Sequence, residues 1–253
     1  MSDYRARAAD AEISEDAAKI RKNALLEEIY LDVYRRILEA VPEATHPRLL
    51  EIGSGGGFFA RVAPHVVTSD CVAGPGISKV VDACRLDESF QPGSLDGIVA
   101  FNVFHHLPDA RGFLKTASIV LRPGGRIVLV EPWFTPVGQW FYRALHHEPW
   151  RADPADWSLV GEGRLLGANS RLPTSVFRDS DRRFESEFPE LAIVERRPFH
   201  KWLYLASGGL RLNTRVPRTL ARALVAFDRR VRAGDRATGI FARVVVEKRA
   251  PKS

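Results

Sequence analysis

The sequence predicts an α/β protein with a doubly wound, mostly parallel sheet, an N-terminal helix and a helical insertion. Short apolar runs alternate with segments of helical periodicity, which is the pattern of this fold class. The runs are apolar at nearly every position, as in strands covered on both faces. A glycine-rich turn follows the first run. The predicted strands span residues 48–52, 66–69, 95–101, 126–131, 191–195 and 240–247.

The segments around these strands are expected to complete a single domain over residues 1–253. Apolar residues recur at helical spacing over residues 17–40, and Pro42 follows, so an amphipathic helix is predicted there. Further helices are predicted over 58–63, 113–121 and 218–232. The expected parts are a core over 48–131, an insertion over 134–189, and C-terminal strands with a basic helical segment over 190–248.

Length and composition indicate a globular protein without membrane-spanning helices. The 253 residues are 45% hydrophobic, enough for a full core. The most apolar stretches are strand-sized, well short of the roughly 20 residues that cross a bilayer. The first residues alternate charged and small side chains and lack the apolar run of a secretion signal. A cytoplasmic protein is therefore expected.

The sequence predicts no metal site and no disulfide. Cys71 and Cys84 match no common zinc spacing, and the expected compartment is reducing, so both are interpreted as ordinary small residues. His146, His147 and Glu148 are adjacent in the chain. Adjacent residues of a helix point about 100° apart and do not present two ligands on one face.

Basic residues are concentrated in the last quarter of the chain. Residues 196–253 contain 15 Lys and Arg against 3 Asp and Glu. Two interpretations remain open for the stretch 196–236. In the first, the stretch contacts an anionic membrane or a phosphate-bearing, lipid-linked acceptor. In the second, it is a helix whose basic face is solvated and whose apolar face packs on the protein. Nucleic-acid binding is not expected, because no RNA-binding domain is recognisable.

The turn after the first strand has the sequence Glu51-Ile52-Gly53-Ser54-Gly55-Gly56-Gly57. Glycine permits positive φ and lets a ligand lie against the backbone. Together with Asp70, Asp82-Ala83 and the stretch 101–107, this turn resembles the motifs of class I S-adenosylmethionine-dependent methyltransferases. The resemblance covers about residues 48–131 and implies a Rossmann-like, seven-stranded sheet with S-adenosyl-L-methionine as cofactor.

The resemblance also implies which residues bind the cofactor. Glu51 matches the acid that holds the amino group, Asp70 the acid that receives the ribose hydroxyls, and Asp82 the acid at the adenine amino group. For Asp82, a solvated turn residue is the alternative. The implied cofactor-binding residues are Glu51, Gly53, Ser54, Gly55, Gly57, Asp70, Asp82, Ala83 and Asn102.

His105 is the candidate general base, because it follows a strand at the edge where open α/β sheets bind ligands. Packing or capping of the next helix is the alternative role for His105. Glu131 ends the next strand and is expected either to face the substrate or to bind backbone of the insertion. Asn102 is followed by Val103-Phe104 rather than Pro-Pro-aromatic, so methylation of nucleic-acid bases is not expected.

The expected activity is methyl transfer to a small-molecule or to a glycan- or lipid-linked acceptor. The alternative is a non-catalytic S-adenosylmethionine-binding or scaffold protein of the same fold. A nicotinamide-dependent oxidoreductase is disfavoured, since no Tyr-x-x-x-Lys constellation follows the glycine turn. Candidate residues of an acceptor pocket are Trp133, Trp140, Tyr142 and Arg143.

Overall fold

A computed structural model describes most of the chain. The described residues are 15, 17–42, 47–144, 150, 157–159, 168–199, 203–204, 207, 215–231 and 234–250. Within them, seven strands form one sheet in the order β3-β2-β1-β4-β5-β7-β6. The strands are β1 Leu49–Glu51, β2 Val67–Asp70, β3 Lys79–Val80, β4 Leu95–Phe101, β5 Leu121–Pro132, β6 Leu191–Phe199 and β7 Phe241–Lys248.

The first five strands pair in parallel, and β7 runs antiparallel between β5 and β6. The predicted fold class is therefore confirmed. The helices are α1 Ala24–Leu38, α2 Ala110–Val120, α3 Pro136–Ala144, α4 Leu172–Thr174, α5 Asp181–Glu187, α6 Arg218–Arg230 and α7 Asp235–Thr238. Tight 3₁₀ turns span Phe58–Arg61, Ala83–Glu88 and Phe104–His106, and a π-helical turn spans Ser175–Asp179.

Hydrophobic clusters cover both faces of the sheet. In β4, Ile98 and Ala100 belong to the cluster on the face of α2, while Val99 and Phe101 belong to the cluster on the face of α1. Successive residues of a strand point to opposite faces, so a strand covered on both sides must be apolar throughout. This explains why the run Leu95–Phe101 was predicted with its correct bounds.

The N-terminal helix is interrupted rather than continuous over 17–40. Residues 17–22 are helical, and Asn23 then caps α1, its Oδ1 accepting from the Leu26 amide at 3.1 Å. An Asn side chain satisfies an amide that the helix start leaves without a partner. The helix predicted over 58–63 is only the 3₁₀ turn Phe58–Arg61.

Other elements also differ from the prediction, and strand β5 begins at Leu121 rather than at 126. Helix α2 begins at Ala110, not 113, because Asp109 Oδ1 accepts from the Gly112 amide at 2.9 Å. Strand β3, Lys79–Val80, was not predicted at all. Strand β6 continues to Phe199 rather than ending at 195. It lies at the edge of the sheet, where a proline such as Pro198 costs no ladder hydrogen bond.

The described part of the insertion is anchored by Trp157. Its buried ring contacts the guanidinium groups of Arg111 in α2 and Arg183 in α5, at 5.1 and 4.8 Å from the ring centroid. Both arginines also pair with Glu187, at 2.6 and 2.8 Å. The insertion is thereby tied to the side of the core that α2 covers.

Some of the predicted features lie outside the described residues. They are His146, His147, Glu148, Lys201, Arg211 and Arg232. Among the described residues, no group of His, Cys, Asp and Glu could hold a metal ion. None of the described helices is long and apolar enough to span a bilayer.

The basic helix α6 lies against α1 and pairs with its acidic residues. Arg218 and Arg222 contact Glu28 at 3.4 and 3.0 Å, and Arg229 contacts Asp32 at 3.0 Å. Both of these carboxylates are buried. The charges of these three arginines are neutralised by carboxylates of α1. For them, the contacts therefore favour the interpretation of a helix face above an apolar one, and not of a surface for a membrane or an acceptor.

Candidate cofactor site and active site

The candidate site lies where the carboxyl ends of β1, β2 and β4 meet. The Ser54 amide donates to the carbonyl of Ser69 at 2.8 Å, and the Ile52 amide donates to that of Val99 at 3.1 Å. The turn that follows β1 is therefore fixed to both neighbouring strands. In an open α/β sheet this edge is the place where ligands bind.

The glycine turn is built from three residues in the left-handed region. Gly53, Gly55 and Gly57 have φ values of +60°, +53° and +68°. A Cβ at Gly53 would lie 2.5 Å from the Val103 side chain, and one at Gly57 would lie 2.6 Å from the Gly76 carbonyl oxygen. A Cβ at Gly55 would meet nothing within 4 Å. Gly53 and Gly57 thus allow close packing within the protein, whereas Gly55 borders open space.

Glu51 is a buried carboxyl group at the end of β1. None of the described residues donates a hydrogen bond to its Oε2. Burial raises the pKa of Glu51 to about 8, a contact with Ser54 opposes the rise, and the charge of Asp70 adds to it. A buried acid without a donor favours binding of a cationic group, because the cation supplies both the charge and the missing hydrogen bond.

Asp70 lies across the glycine turn from the end of β2. Its Oδ2 accepts from the Gly55 amide at 3.1 Å, and its Oδ1 accepts from the Cys71 amide at 2.8 Å. The side chain is buried. The structure therefore brings Asp70 to the turn, and its role as acceptor of the ribose hydroxyls stays a prediction.

Asp82 follows β3 and is close to Asp70 along the sheet edge, since Asp70 and Val80 are paired in register. Its Oδ1 accepts from the Cys84 amide at 2.9 Å and caps the turn Ala83–Glu88. Asp82 is exposed, and Ala83 is half-buried. The capping contact by itself explains an Asp at this position in the turn. Because the side chain is exposed, it is also accessible to a ligand.

Asn102 follows β4 and also has a left-handed backbone, with φ of +56°. This region is uncommon for residues other than glycine, although Asn tolerates it better than most. The Asn102 amide donates to the Val130 carbonyl at 3.0 Å. Its side-chain Oδ1 is buried and accepts no hydrogen bond from the part of the chain that the structure describes. Glu51 and Asn102 thus place two unsatisfied acceptors at the ends of adjacent strands.

His105 is paired with Glu131. The two lie in a buried pair with His105 Nδ1 at 2.6 Å from Glu131 Oε2. Glu131 Oε1 also accepts from the amides of Val103 and Phe104, each at 2.8 Å. The expectation that Glu131 binds backbone of the insertion is wrong, because the backbone it binds belongs to the turn after β4.

Two contacts of the His105 turn were not predicted from the sequence. The pair with Glu131 was not predicted, although both residues follow adjacent strands in which Phe101 and Val130 are in register. Asn169 of the insertion was also not identified, and its amide donates to the His105 carbonyl at 2.9 Å. The buried insertion residues that precede α4 therefore lie over the turn that carries His105.

The candidate residues of an acceptor pocket differ in their exposure to solvent. Trp133 is buried in the core, and the Tyr142 hydroxyl donates to the Ile240 carbonyl at 2.8 Å. Trp140 is 61% exposed, and the guanidinium of Arg143 lies 4.4 Å from the centroid of the Trp150 ring. Trp133 and Tyr142 therefore serve the packing of the protein interior, as their burial shows.

Comparison with known proteins decides the family. A family model described as a methyltransferase domain matches residues 19–232, which is most of the chain. The protein is a class I S-adenosylmethionine-dependent methyltransferase. This methyltransferase is an enzyme of the family that the glycine turn and Asp70 resemble, and its cofactor is S-adenosylmethionine.

The methyltransferase is similar to curated proteins over part of their length. It is 28% identical over 101 residues to a ubiquinone biosynthesis O-methyltransferase of Xanthomonas campestris, covering 32% of this chain and 41% of that protein. It is 29% identical over 130 residues to 27-O-demethylrifamycin SV methyltransferase of Amycolatopsis mediterranei, covering 43% and 47%. The matches thus span less than half of these two relatives.

Solved structures show the same fold. A putative methyltransferase of Haloferax volcanii, solved with the Trm112 activator, has a TM-score of 0.53 at 14% identity, covering 93% of this chain and 98% of that one. An S-adenosylmethionine-dependent methyltransferase of Archaeoglobus fulgidus has a TM-score of 0.50 at 16% identity, covering 88% and 94%.

The residues present fit S-adenosylmethionine. Its methionine end carries an ammonium group, which would supply donors to the acceptors of Glu51 and Asn102 that have none. The space beside Gly55 admits a ligand against the backbone. Asp70, at the same turn, would offer a carboxylate to the two ribose hydroxyls.

Glu51→Gln is expected to change how the stability of the cofactor-free protein depends on pH. The contribution of the Glu51 carboxyl is fully present below about pH 4.5 and is lost as the pH rises through about 8. Glutamine does not ionise. The unfolding free energy of the wild type should therefore fall relative to that of the variant by about 1.4 kcal/mol per pH unit across this window.

Chemical denaturation across that pH window measures the difference. The control is Glu88→Gln, which changes a glutamate whose side chain is 66% exposed. A wild-type-minus-Glu51→Gln difference that stays constant with pH would contradict the assignment of a raised pKa.

Proposed function

We propose that this methyltransferase transfers a methyl group to a hydroxyl of a small organic molecule, with His105 as the general base. The observation that carries the proposal is the buried pair in which His105 Nδ1 lies 2.6 Å from Glu131 Oε2. A carboxylate at this distance holds the proton on Nδ1 and leaves the lone pair on Nε2. A base is useful when the acceptor atom carries a proton, as a hydroxyl does.

Bound S-adenosylmethionine supplies the methyl group, whose bond to the sulfonium sulfur breaks as the bond to the acceptor oxygen forms. His105 Nε2 takes the hydroxyl proton, and the Glu131 carboxylate stabilises the imidazolium that results. Holding the acceptor in line is itself a large part of the rate enhancement. We assign this positioning to the insertion 134–189, because Asn169 bonds the carbonyl of His105.

We also propose the cofactor-binding residues. Glu51 holds the ammonium group, Asp70 the ribose, and Asp82 with Ala83 the adenine. Gly53, Ser54, Gly55, Gly57 and Asn102 line the methionine end. The meeting of these residues at the ends of four adjacent strands, β3, β2, β1 and β4, supports the proposal.

The activities for which two relatives are named support the acceptor class. One is an O-methyltransferase of ubiquinone biosynthesis and the other acts on 27-O-demethylrifamycin SV. Both names describe methylation of an oxygen on a small organic molecule. They favour that class over a glycan-linked acceptor for this chain.

Transfer of a radiolabelled methyl group from S-adenosylmethionine to a panel of phenols, catechols and aliphatic alcohols tests the proposed function. Matched amines in the same panel separate O-methylation from N-methylation. Labelling of hydroxyl acceptors is expected. Labelling of amines alone would contradict the proposal.

His105→Ala is expected to lower kcat with the best hydroxyl acceptor by about 10²- to 10⁴-fold, because the proton then has no positioned acceptor. Affinity for S-adenosylmethionine should stay within about twofold. His106→Ala is the control, since its ring lies beside that of His105 in the same turn, with centroids 4.1 Å apart. Equal kcat values for both variants would rule out His105 as the base.

Gly55→Ala is expected to weaken cofactor binding at least tenfold, because the added methyl group fills space that we assign to the ligand. Gly93→Ala is the matched control. Both glycines have positive φ, +53° and +67°, and a Cβ at either meets nothing within 4 Å. Both variants should therefore lose a similar stability, about 1–2 kcal/mol. Calorimetry with S-adenosylmethionine checks the affinities, and equal affinity of the two variants would contradict the site.

We further propose that the outer face of α6 holds the enzyme at the cytoplasmic face of an anionic membrane. Leu220 and Phe227 are two turns apart on this face and are 50% and 68% exposed. Val231 continues the face, and the exposed Arg230 lies beside it. An exposed apolar stripe with basic neighbours suits an anionic lipid surface.

Phe227→Ser combined with Arg230→Gln is expected to reduce sedimentation of the protein with vesicles that contain anionic phosphatidylglycerol. Both the buried apolar area and the attraction to lipid charge are lost. Trp140→Ser is the control, because it removes an equally exposed aromatic residue outside the basic segment. Absence of wild-type binding to anionic vesicles would remove this proposal without affecting the methyl-transfer chemistry.

A further inference from the structure

The N-terminal helical segment, residues 17–38, packs directly on the glycine turn. A Cβ built at Gly56 would lie 2.7 Å from the Cβ of Ala17. The Arg21 guanidinium lies 5.3 Å from the centroid of the Phe58 ring, and Arg61 pairs with Glu27 of α1. The segment therefore forms a wall of the proposed cofactor site, although none of its residues belongs to the motifs that predicted that site.

Tyr34 is the residue of this wall that lies between the two strand ends. Its ring packs edge-on against Phe59, which follows the glycine turn, and against Phe101, which precedes Asn102, with centroids 5.0 and 6.3 Å away. The side chain is buried. Within the described part of the chain, its hydroxyl forms no hydrogen bond.

The charge of Glu51 acts on the Tyr34 hydroxyl. Burial raises the pKa of Tyr34 well above its usual range, and the negative charge of Glu51 raises it further. Conversely, the Glu51 carboxyl has an oxygen without a donor. The unsatisfied Glu51 carboxyl, with the Tyr34 side chain buried near the same edge of the sheet, indicates a polar ligand at this place.

Helix α6 holds this wall in place. Leu25 and Ile29 of α1 pack against Ala221 and Val225 of α6. The ion pairs of Arg218, Arg222 and Arg229 with the acidic face of α1 flank this small apolar contact. The basic helix therefore supports the position of Tyr34 from outside the cofactor site.

We propose that Tyr34 is a further cofactor-binding residue, whose hydroxyl hydrogen-bonds the charged methionine end of the cofactor. The inference rests on the proposed cofactor site at residues 51–57. A tyrosine hydroxyl both donates and accepts, so it can bond either charged group of that end. The adenosine part lies toward Asp70 and Asp82 and is not contacted by Tyr34 in this arrangement.

Tyr34→Phe tests the inference, since it removes only the hydroxyl and retains the ring that packs on Phe59 and Phe101. Calorimetry compares two ligands, S-adenosylhomocysteine and 5′-methylthioadenosine, which lacks the amino-acid end. The variant should bind S-adenosylhomocysteine roughly tenfold more weakly, because a hydrogen bond to a charged group is lost. Its affinity for 5′-methylthioadenosine should change less than about twofold.

Tyr142→Phe is the matched control, because its buried hydroxyl is already bonded to the Ile240 carbonyl. This variant should bind both ligands like the wild type. A second measurement is the rise in Tm on addition of S-adenosylhomocysteine, which should be smaller for Tyr34→Phe than for the wild type.

Unchanged affinity of Tyr34→Phe for S-adenosylhomocysteine would overturn the inference, and so would an equal loss for both ligands, which indicates a general disturbance of the site. In either case the proposed cofactor site stands, because the wild type binds. Failure of the wild type to bind either ligand would instead overturn the cofactor site itself and the role of Tyr34 with it.

Discussion

The close packing of the glycine turn between its neighbours is the constraint on which the rest of the site depends. Gly53 leaves no room for a Cβ beside Val103, and Gly57 leaves none beside Gly76. The turn consequently lies tightly against the loops that follow β2 and β4. Asp70, Glu51 and the turn of His105 are brought to one edge of the sheet by these contacts, and Gly55 alone of the three glycines is left facing open space.

Much of the fold was predictable because the central strands are covered on both faces. Strand β4 is buried along its whole length, so its apolar run marks its bounds directly. Strand β3 has only two residues, too few for any periodicity to appear. The break at Asn23 had a local signal, since Asn is a preferred helix cap, but the apolar spacing continues across it and hid the cap.

The candidate site residues could be predicted where the local sequence around each of them carries a signal. Glu51, Asp70, Asn102 and His105 each follow a short apolar run. The residues that they contact could not be predicted in this way. His105 and Glu131 are 26 positions apart and meet only because β4 and β5 pair in register. Likewise, the acidic residues of α1 and the arginines of α6 are nearly 200 residues apart, and no local pattern links them.

The Glu131 carboxylate links two parts of the site. One of its oxygens orients the imidazole of His105, and the other anchors the amide of Val103, whose side chain is packed against Gly53. The proposed general base and the glycine turn of the proposed cofactor site are therefore joined through a single acid. Under the proposed roles, a substitution of Glu131 would disturb both the imidazole of His105 and the packing of Val103 on Gly53, so the base and the cofactor site could not be adjusted independently.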